Sequence, residues 1–279
     1  MKKAVILPNY LKNESVSFAN TLCDYLKSKG YNASILGEET FPDKDNDFAV
    51  VLGGDGTILR ACKKLYGTDI PIFGINFGHM GYLTECGPDT SWEYLDKITV
   101  GEYRIEKRIM IETQVIRSGE RVRSFVALNE ATLYRAKLMK AFGMKISING
   151  KHTETVFGDG VIIATPTGST SYNLTAGGPL LTPTSDNMVI TPIASKCFPQ
   201  SSLVVNGEDV IDVKVKIDGL YENSSFASLE IDADEAFDIF DGDTVRISRA
   251  EHGASIMRVG DTSFYQILRE KLSKTDPRA

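Results

Sequence analysis

FAVVLGGDGTILRAC, residues 48–62, decides how this chain begins to fold. Its first five residues form an unbroken apolar run, the pattern of a strand covered on both faces. TILRACKKLYG then reads as a helix, and between the two lies a tight turn of Gly53, Gly54, Asp55 and Gly56. Glycines at such a junction bring backbone close to phosphate, and the free amides and dipole of a helix start favour an anion. Two phosphate motifs are excluded. A P-loop requires a lysine that GGDGTILRA lacks, and the dinucleotide fingerprint requires a third glycine that is absent. A carboxylate beside an anion is costly unless it binds a cation or takes up a proton. Both uses suit phosphoryl transfer, where Mg²⁺ offsets phosphate charge and a base accepts a hydroxyl proton. The same four residues also fit a plain Asp-Gly turn that caps a helix.

Outward from this stretch, the first third alternates strand and helix. KKAVILP is a short apolar run bounded by Pro8 and Asn9. Val16, Ala19, Leu22, Cys23 and Leu26 recur at helical spacing and stop at Gly30. NASIL and IPIFGIN supply further strands, and repeated β-α-β units imply a parallel sheet with ligands at the carboxyl ends of its strands. Past about residue 105 the pattern changes to antiparallel β. KRIMIETQVIRSGERVRSFVALNEATLYR reads as long strands around SGE, and MKISINGKHTETVF as a hairpin with Asn149-Gly150 at its turn. GVIIATP, MVITPIA, SLVV, DVIDVKVKI, ASLEI and TVRIS continue the series, and the tail FYQILREKLSK is an amphipathic helix. The fold class expected is α/β plus all-β. A Rossmann-like parallel-sheet domain spans residues 1–105 and a larger antiparallel β domain residues 106–255. A C-terminal helical segment, 256–279, docks on one of them.

Composition narrows the class. Of 279 residues 42% are hydrophobic and 24% charged, and the net charge of -6 argues against a nucleic-acid footprint or a polybasic membrane anchor. No apolar run reaches the ~18 residues a membrane span needs, and the opening MKKAVILPNY is too short for a signal peptide. Cys23, Cys62, Cys86 and Cys197 form no CxxC pair and read as reduced thiols, which points to a cytoplasmic protein.

Two further clusters bear on ligand binding. DGVIIATPTGSTSYNLTAGGP joins an apolar strand to small hydroxyl residues and glycines. Ser169, Thr170, Ser171 and Thr175 can hydrogen-bond a polar ligand, and Tyr172 offers a flat face to a planar ring. In SFVALNEATLY the pair Asn129-Glu130 interrupts an apolar strand and suits a ribose diol and a base edge. An ordinary Ser/Thr-rich loop and a bulge at a strand end are the plain alternatives. Arg60 is the nearest fixed cation to the glycine turn and is read as a phosphate contact. His79 is read as packing locally, and Trp92 as lying on the core face of a helix.

Taken together, GGDGT, FGINFGHMGYLTE, LNE and DGVIIATPTGSTSYNLTAGGP resemble the NAD kinase family, over most of the chain from about Val5 to the last strands. GGDGT is shared with phosphofructokinase and the diacylglycerol and sphingosine kinases, whereas the DGVIIATPTGSTSY run is far more specific. The resemblance implies transfer of the γ-phosphoryl group of ATP, with Mg²⁺, to the 2′-hydroxyl of the adenosine ribose of NAD. Gly53, Gly54, Gly56 and Thr57 would then line phosphates with Arg60, and Asp55 would orient and deprotonate the hydroxyl. It further implies that Asn129 and Glu130 hold the adenosine half of NAD and that Thr167, Thr170 and Ser171 meet the adenine. Asp159, Tyr172, Asn173 and Thr175 would lie toward nicotinamide, with Phe77 an apolar wall, Ala194 a lining residue and Asp232 a substrate-side acid. A dimer or tetramer is also implied, while the ligands of any metal stay unknown. Lys196 stands where a histidine is usual, and Asp234 where glutamine is frequent. A lipid kinase of the same superfamily and a non-enzymatic NAD(P)-binding regulator are the competing readings. The first would need an apolar slot, and the second gains little from Asp55.

Overall fold

The computed structural model describes residues 2–78, 81–135, 142–196, 201–216 and 227–273. It divides into two compact units, one of Met1–Lys107 with Ala254–Ala279 and one of Arg108–Gly253. The chain starts β1 (Lys3–Pro8), α1 (Asn13–Ser28), β2 (Asn32–Ile35), β3 (Phe48–Leu52), α2 (Asp55–Lys64), β4 (Ile72–Ile75), α3 (Ser91–Thr99) and β5 (Arg104–Arg108). It continues β6 (Ile111–Arg117), β7 (Glu120–Ala127), β8 (Glu130–Arg135), β9 (Phe142–Ile148), β10 (Lys151–Gly158), β11 (Gly160–Ala164) and the short α4 (Tyr172–Thr175). Then follow β12 (Asn187–Ile193), β13 (Leu203–Asn206), β14 (Ile211–Lys216), β15 (Ala227–Ile231), β16 (Glu235–Ile239), β17 (Thr244–Arg249), β18 (Ala254–Arg258) and α5 (Phe264–Ser273).

The first unit is built on a sheet of order β2-β1-β3-β4-β18-β5, whose pairs from β2 through β18 are parallel. Ala4, Ile6, Phe48, Val50 and Leu52 face one side and pack with Ala19, Leu22 and Leu26 of α1 and Leu95 and Ile98 of α3. The intervening Val5, Leu7, Ala49 and Val51 are buried as well, so both faces are covered, as parallel sheets require. Trp92 lies against Phe18 and Tyr25, on the core side of α3. The segment after residue 255, read from sequence as helical throughout, begins instead inside a strand. β18 is inserted between β4 and β5, and only then does α5 follow, with Phe264 and Lys271 against the ring of Tyr82. ASIMR is fully buried, yet its partner β4 lies far away in sequence, where local pattern carries no trace of it.

The second unit is a sandwich of two antiparallel sheets, β10-β9-β14-β17-β6-β7 and β13-β12-β11-β8-β15-β16. Alternate residues of both sheets interdigitate, among them Ile211, Val213 and Val215 from one and Leu133, Val161 and Leu229 from the other. Two turns come from residues of positive φ. Ser118 and Gly119 join β6 to β7, and Asn149 (φ 51) and Gly150 (φ 75) join β9 to β10. β11 is buried on both faces, since the segment from Thr165 to Leu181 folds back over its outer side.

Cys23, Cys62 and Cys86 are buried thiols, and Cys197 lies outside the described residues. Among the described residues no helix is long and apolar enough to cross a membrane. Leu22 is completely buried between α1 and the first sheet. Its replacement by alanine should cost ~2.5–5 kcal/mol, read as a lower midpoint in urea denaturation.

Candidate functional site

In the first unit the site is the turn that joins β3 to α2. Gly54 takes the N-cap position with extended backbone, and no side chain caps the helix, so its first amides remain available to a ligand. A Cβ on Gly53 would collide with the Thr57 side chain. Thr57 itself is buried and its hydroxyl accepts a hydrogen bond from Asn9 Nδ2 at 3.3 Å. Its side chain thus braces the turn from behind. Gly56 and Arg60 are exposed.

Asp55 is the first residue of α2, and its carboxylate is fixed by backbone. The Tyr82 amide donates to Oδ2 at 2.7 Å and the Leu83 amide to Oδ1 at 3.0 Å. A Cβ on Gly81 would overlap the carboxylate, so only glycine lets this loop close on Asp55. Each oxygen accepts one amide and keeps capacity for another donor. Asn76 adds a second polar atom. Its Nδ2 donates to Gly78 O at 2.8 Å, while its buried Oδ1 has no hydrogen-bond partner and lies 3.9 Å from where a Gly54 Cβ would stand. Sequence reading passed over Asn76, Gly81, Tyr82 and Leu83. The available signal was GHMGYL, a glycine-bearing loop near the carboxyl end of the strand beside β3. Phe77 has its ring edge-on to Phe18 at 5.4 Å, packed against the core of α1. His79 lies outside the described residues.

In the second unit Asn129 lies in the connection from β7 to β8, and Glu130 is the first residue of β8. Here the structure reassigns Asp232, expected to face a substrate. Its Oδ1 accepts from the amides of Asn129 at 2.8 Å and Glu130 at 3.1 Å, and its Oδ2 from Leu128 at 3.1 Å. With its side chain buried and committed to three amides, Asp232 holds the backbone of the 128–130 segment in place. Asp232 (φ 52) and Ala233 (φ 55) both adopt left-handed backbone, a strained conformation that these bonds support. Asp234 is exposed.

Glu130 is 3% exposed. Oε1 accepts the Ser171 hydroxyl at 3.0 Å, and Oε2 is buried with no hydrogen-bond partner. Burial pushes the carboxyl group up to about 8 from an ordinary 4.5. The Ser171 hydrogen bond opposes the rise, and the charges of Asp232 and Glu230 add to it.

The hydroxyl-rich segment has two layers. Asn173 is fully buried, donating to Ser169 O and Pro179 O and accepting from Thr191 Oγ1 at 2.6 Å. Its side chain therefore pins the segment to β12, a correction of its expected ligand contact. Thr167 is also buried, with Arg108 donating to its hydroxyl at 3.4 Å, and Thr170 donates to Thr167 O at 3.2 Å. Tyr172, 43% exposed, and Thr175 form the outer layer. Asp159 is ion-paired with Arg135 at 3.0 Å. Ala194 is exposed with φ 45, and the exposed Lys196 donates its amide to Phe157 O at 2.7 Å.

A fixed carboxylate at an uncapped helix start, on the carboxyl edge of a parallel sheet, suits the phosphoryl transfer of a kinase. Residues 14–103 match the ATP-NAD kinase N-terminal domain and residues 128–259 the ATP-NAD kinase C-terminal domain. The NAD kinase of Lachnoclostridium phytofermentans is 33% identical, the match covering 97% of this chain and 99% of that protein. The NAD kinase of Wolinella succinogenes is 37% identical over 83% of this chain and 78% of its own. The chain therefore belongs to the NAD kinase family. Among solved structures, an NAD kinase from Archaeoglobus fulgidus in complex with ATP superposes with a TM-score of 0.77 at 28% identity, covering 98% of this chain and 99% of that one. Yeast NADH kinase complexed with NADH shares the fold, with a TM-score of 0.86 at 20% identity over 99% of this chain and 88% of its own.

The state of Glu130 is testable through stability. Between about 4.5 and about 8 the folded protein holds a proton on Glu130 that the unfolded chain has released. Stability therefore falls as pH rises through that window. Glu130→Gln removes the effect, so its melting temperature should gain on the parent from about pH 5 to about pH 8. An equal gap at both pH values would contradict a neutral buried Glu130.

Proposed function

We infer that this chain transfers the γ-phosphoryl group of ATP to the 2′-hydroxyl of the adenosine ribose of NAD, giving NADP and ADP. The observation that carries the reading is the Asp55 carboxylate, held by two amides at the uncapped start of α2. The ribose oxygen attacks the γ-phosphorus, the bond to the bridging oxygen of ADP breaks, and the hydroxyl proton passes to Asp55. Amides of Gly54, Asp55 and Gly56 face the transferring phosphate, with Arg60 a mobile counter-charge. Asn129 and Glu130 receive the adenosine half of NAD. The partnerless Glu130 Oε2 supports this assignment, since a ribose hydroxyl, which can both donate and accept, supplies the hydrogen-bond partner it lacks. Ser171 and Thr170 flank the adenine, and Tyr172 and Thr175 lead toward nicotinamide together with Asp159 and Ala194.

Among the described residues no three His, Cys, Asp or Glu side chains converge as a metal cage. A divalent ion such as Mg²⁺ would arrive with ATP and offset the charge of its phosphates. Asp55 and Asn76 Oδ1 are the oxygen donors at the turn that suit such an ion. A cytoplasmic homodimer or homotetramer completes the reading, and light scattering of the purified chain measures the assembly.

Two variants test it. Asp55→Asn keeps size but cannot take the proton and gives up one of the two amide bonds, so kcat should fall ~10²–10⁴-fold with NAD affinity nearly unchanged. Near-normal NADP formation from NAD and MgATP would remove Asp55 from its role. Tyr172→Ala should raise KM for NAD by a factor corresponding to ~1–3 kcal/mol while sparing the melting temperature, because the exposed ring supports no core. A lower melting temperature with unchanged KM would reverse that assignment.

A further inference from the structure

Arg258, the last residue of β18, is 5% exposed, and a buried guanidinium needs partners for its charge and its donors. It has both. Nη1 meets Glu85 Oε2 at 3.0 Å, and Nε meets Glu106 Oε2 at 3.3 Å. Glu85 is itself anchored, its Oε1 accepting the amides of Val259 and Gly260 at 2.9 Å each. Two further bonds go to backbone, from Nη2 to Tyr82 O at 2.9 Å and from Nη1 to Leu83 O at 3.4 Å. These are the carbonyls of the same two residues whose amides hold Asp55.

The geometry of the peptide group makes this coincidence mechanical. Tyr82 O and the Leu83 N–H belong to one planar trans unit, so they point in opposite directions and cannot turn independently. Fixing the oxygen on Arg258 aims the N–H at Asp55 Oδ1. The guanidinium also polarises the unit, which strengthens the amide as a donor. We propose that Arg258 is a positioning residue for Asp55, acting through the peptide between Tyr82 and Leu83. It touches no substrate. The proposal rests on Asp55 being the base of the phosphoryl transfer.

The experiment is a double-mutant cycle in the full chain. Arg258→Lys keeps a cation for Glu85 and Glu106 but loses the fork that spans to the carbonyls. It should bind NAD and MgATP within about threefold of the parent, while kcat falls about ten- to a hundredfold, the scale of a misplaced catalytic group. In an Asp55→Asn background the same change should lower kcat no further, because the group it positions is already disabled. Glu85→Gln, which loosens Arg258 without removing it, should show a smaller kcat loss that also vanishes in that background. This variant carries the test if Arg258→Lys fails to fold. Unchanged kcat in a folded Arg258→Lys protein, or losses that multiply with Asp55→Asn, would overturn the proposal. Normal turnover by Asp55→Asn alone would instead overturn the base assignment.

Discussion

Two backbone hydrogen bonds, from the amides of Tyr82 and Leu83 to the Asp55 carboxylate, are the constraint on which the first unit's chemistry depends. A side chain at a helix start is ordinarily free to sample rotamers, and ordering it costs entropy. Here rigid main chain meets it from the neighbouring connection, which is possible because β3 and β4 are adjacent and parallel and discharge their loops at the same edge. Gly81 supplies the clearance, and Gly53 admits Thr57 behind the turn. The sheet thus delivers a prearranged acceptor to the place where helix amides attract phosphate.

The second unit solves a comparable problem with the roles reversed. There a carboxylate, that of Asp232, is the anchor and three successive amides are what it fixes. The group left with unused capacity is Glu130, buried and half satisfied by Ser171. A polar atom without a partner in a low-dielectric setting costs stability, and it gains most from a ligand that supplies the missing hydrogen-bond partner. The sandwich beneath, filled by interdigitating aliphatic side chains, provides the rigidity to hold this unfavourable arrangement.

Much of this was legible in the sequence. The unbroken run FAVVL, the glycines after it and the helical spacing of Leu22 and Leu26 act locally, so pattern alone exposes the strand, the turn and the helix. Asn149-Gly150 is equally local. The motif resemblance pointed to the family, and Asp55 and Glu130 stand at prominent positions. What escaped is non-local. Nothing near Asn173 reveals that Thr191 binds it, and nothing near Asp232 reveals three amides about a hundred residues upstream, since such contacts form only when distant strands come together. The packing of Phe77 on Phe18 of α1 is non-local in the same way.

The insertion of β18 between β4 and β5 also orders events in time. The second unit is continuous in sequence, whereas the first needs residues on both sides of it. During synthesis the sandwich has all its strands before β18 has been made, and until then β4 and β5 present unpaired edges around a gap. The two-part sheet is held open, vulnerable to wrong pairing, for the whole interval in which the sandwich is translated. Closing that gap is a late, long-range event, and it is the step that places Arg258 beneath the loop of Tyr82 and Leu83. Completion of the sheet edge that carries Asp55 thereby waits on a strand made after the whole sandwich.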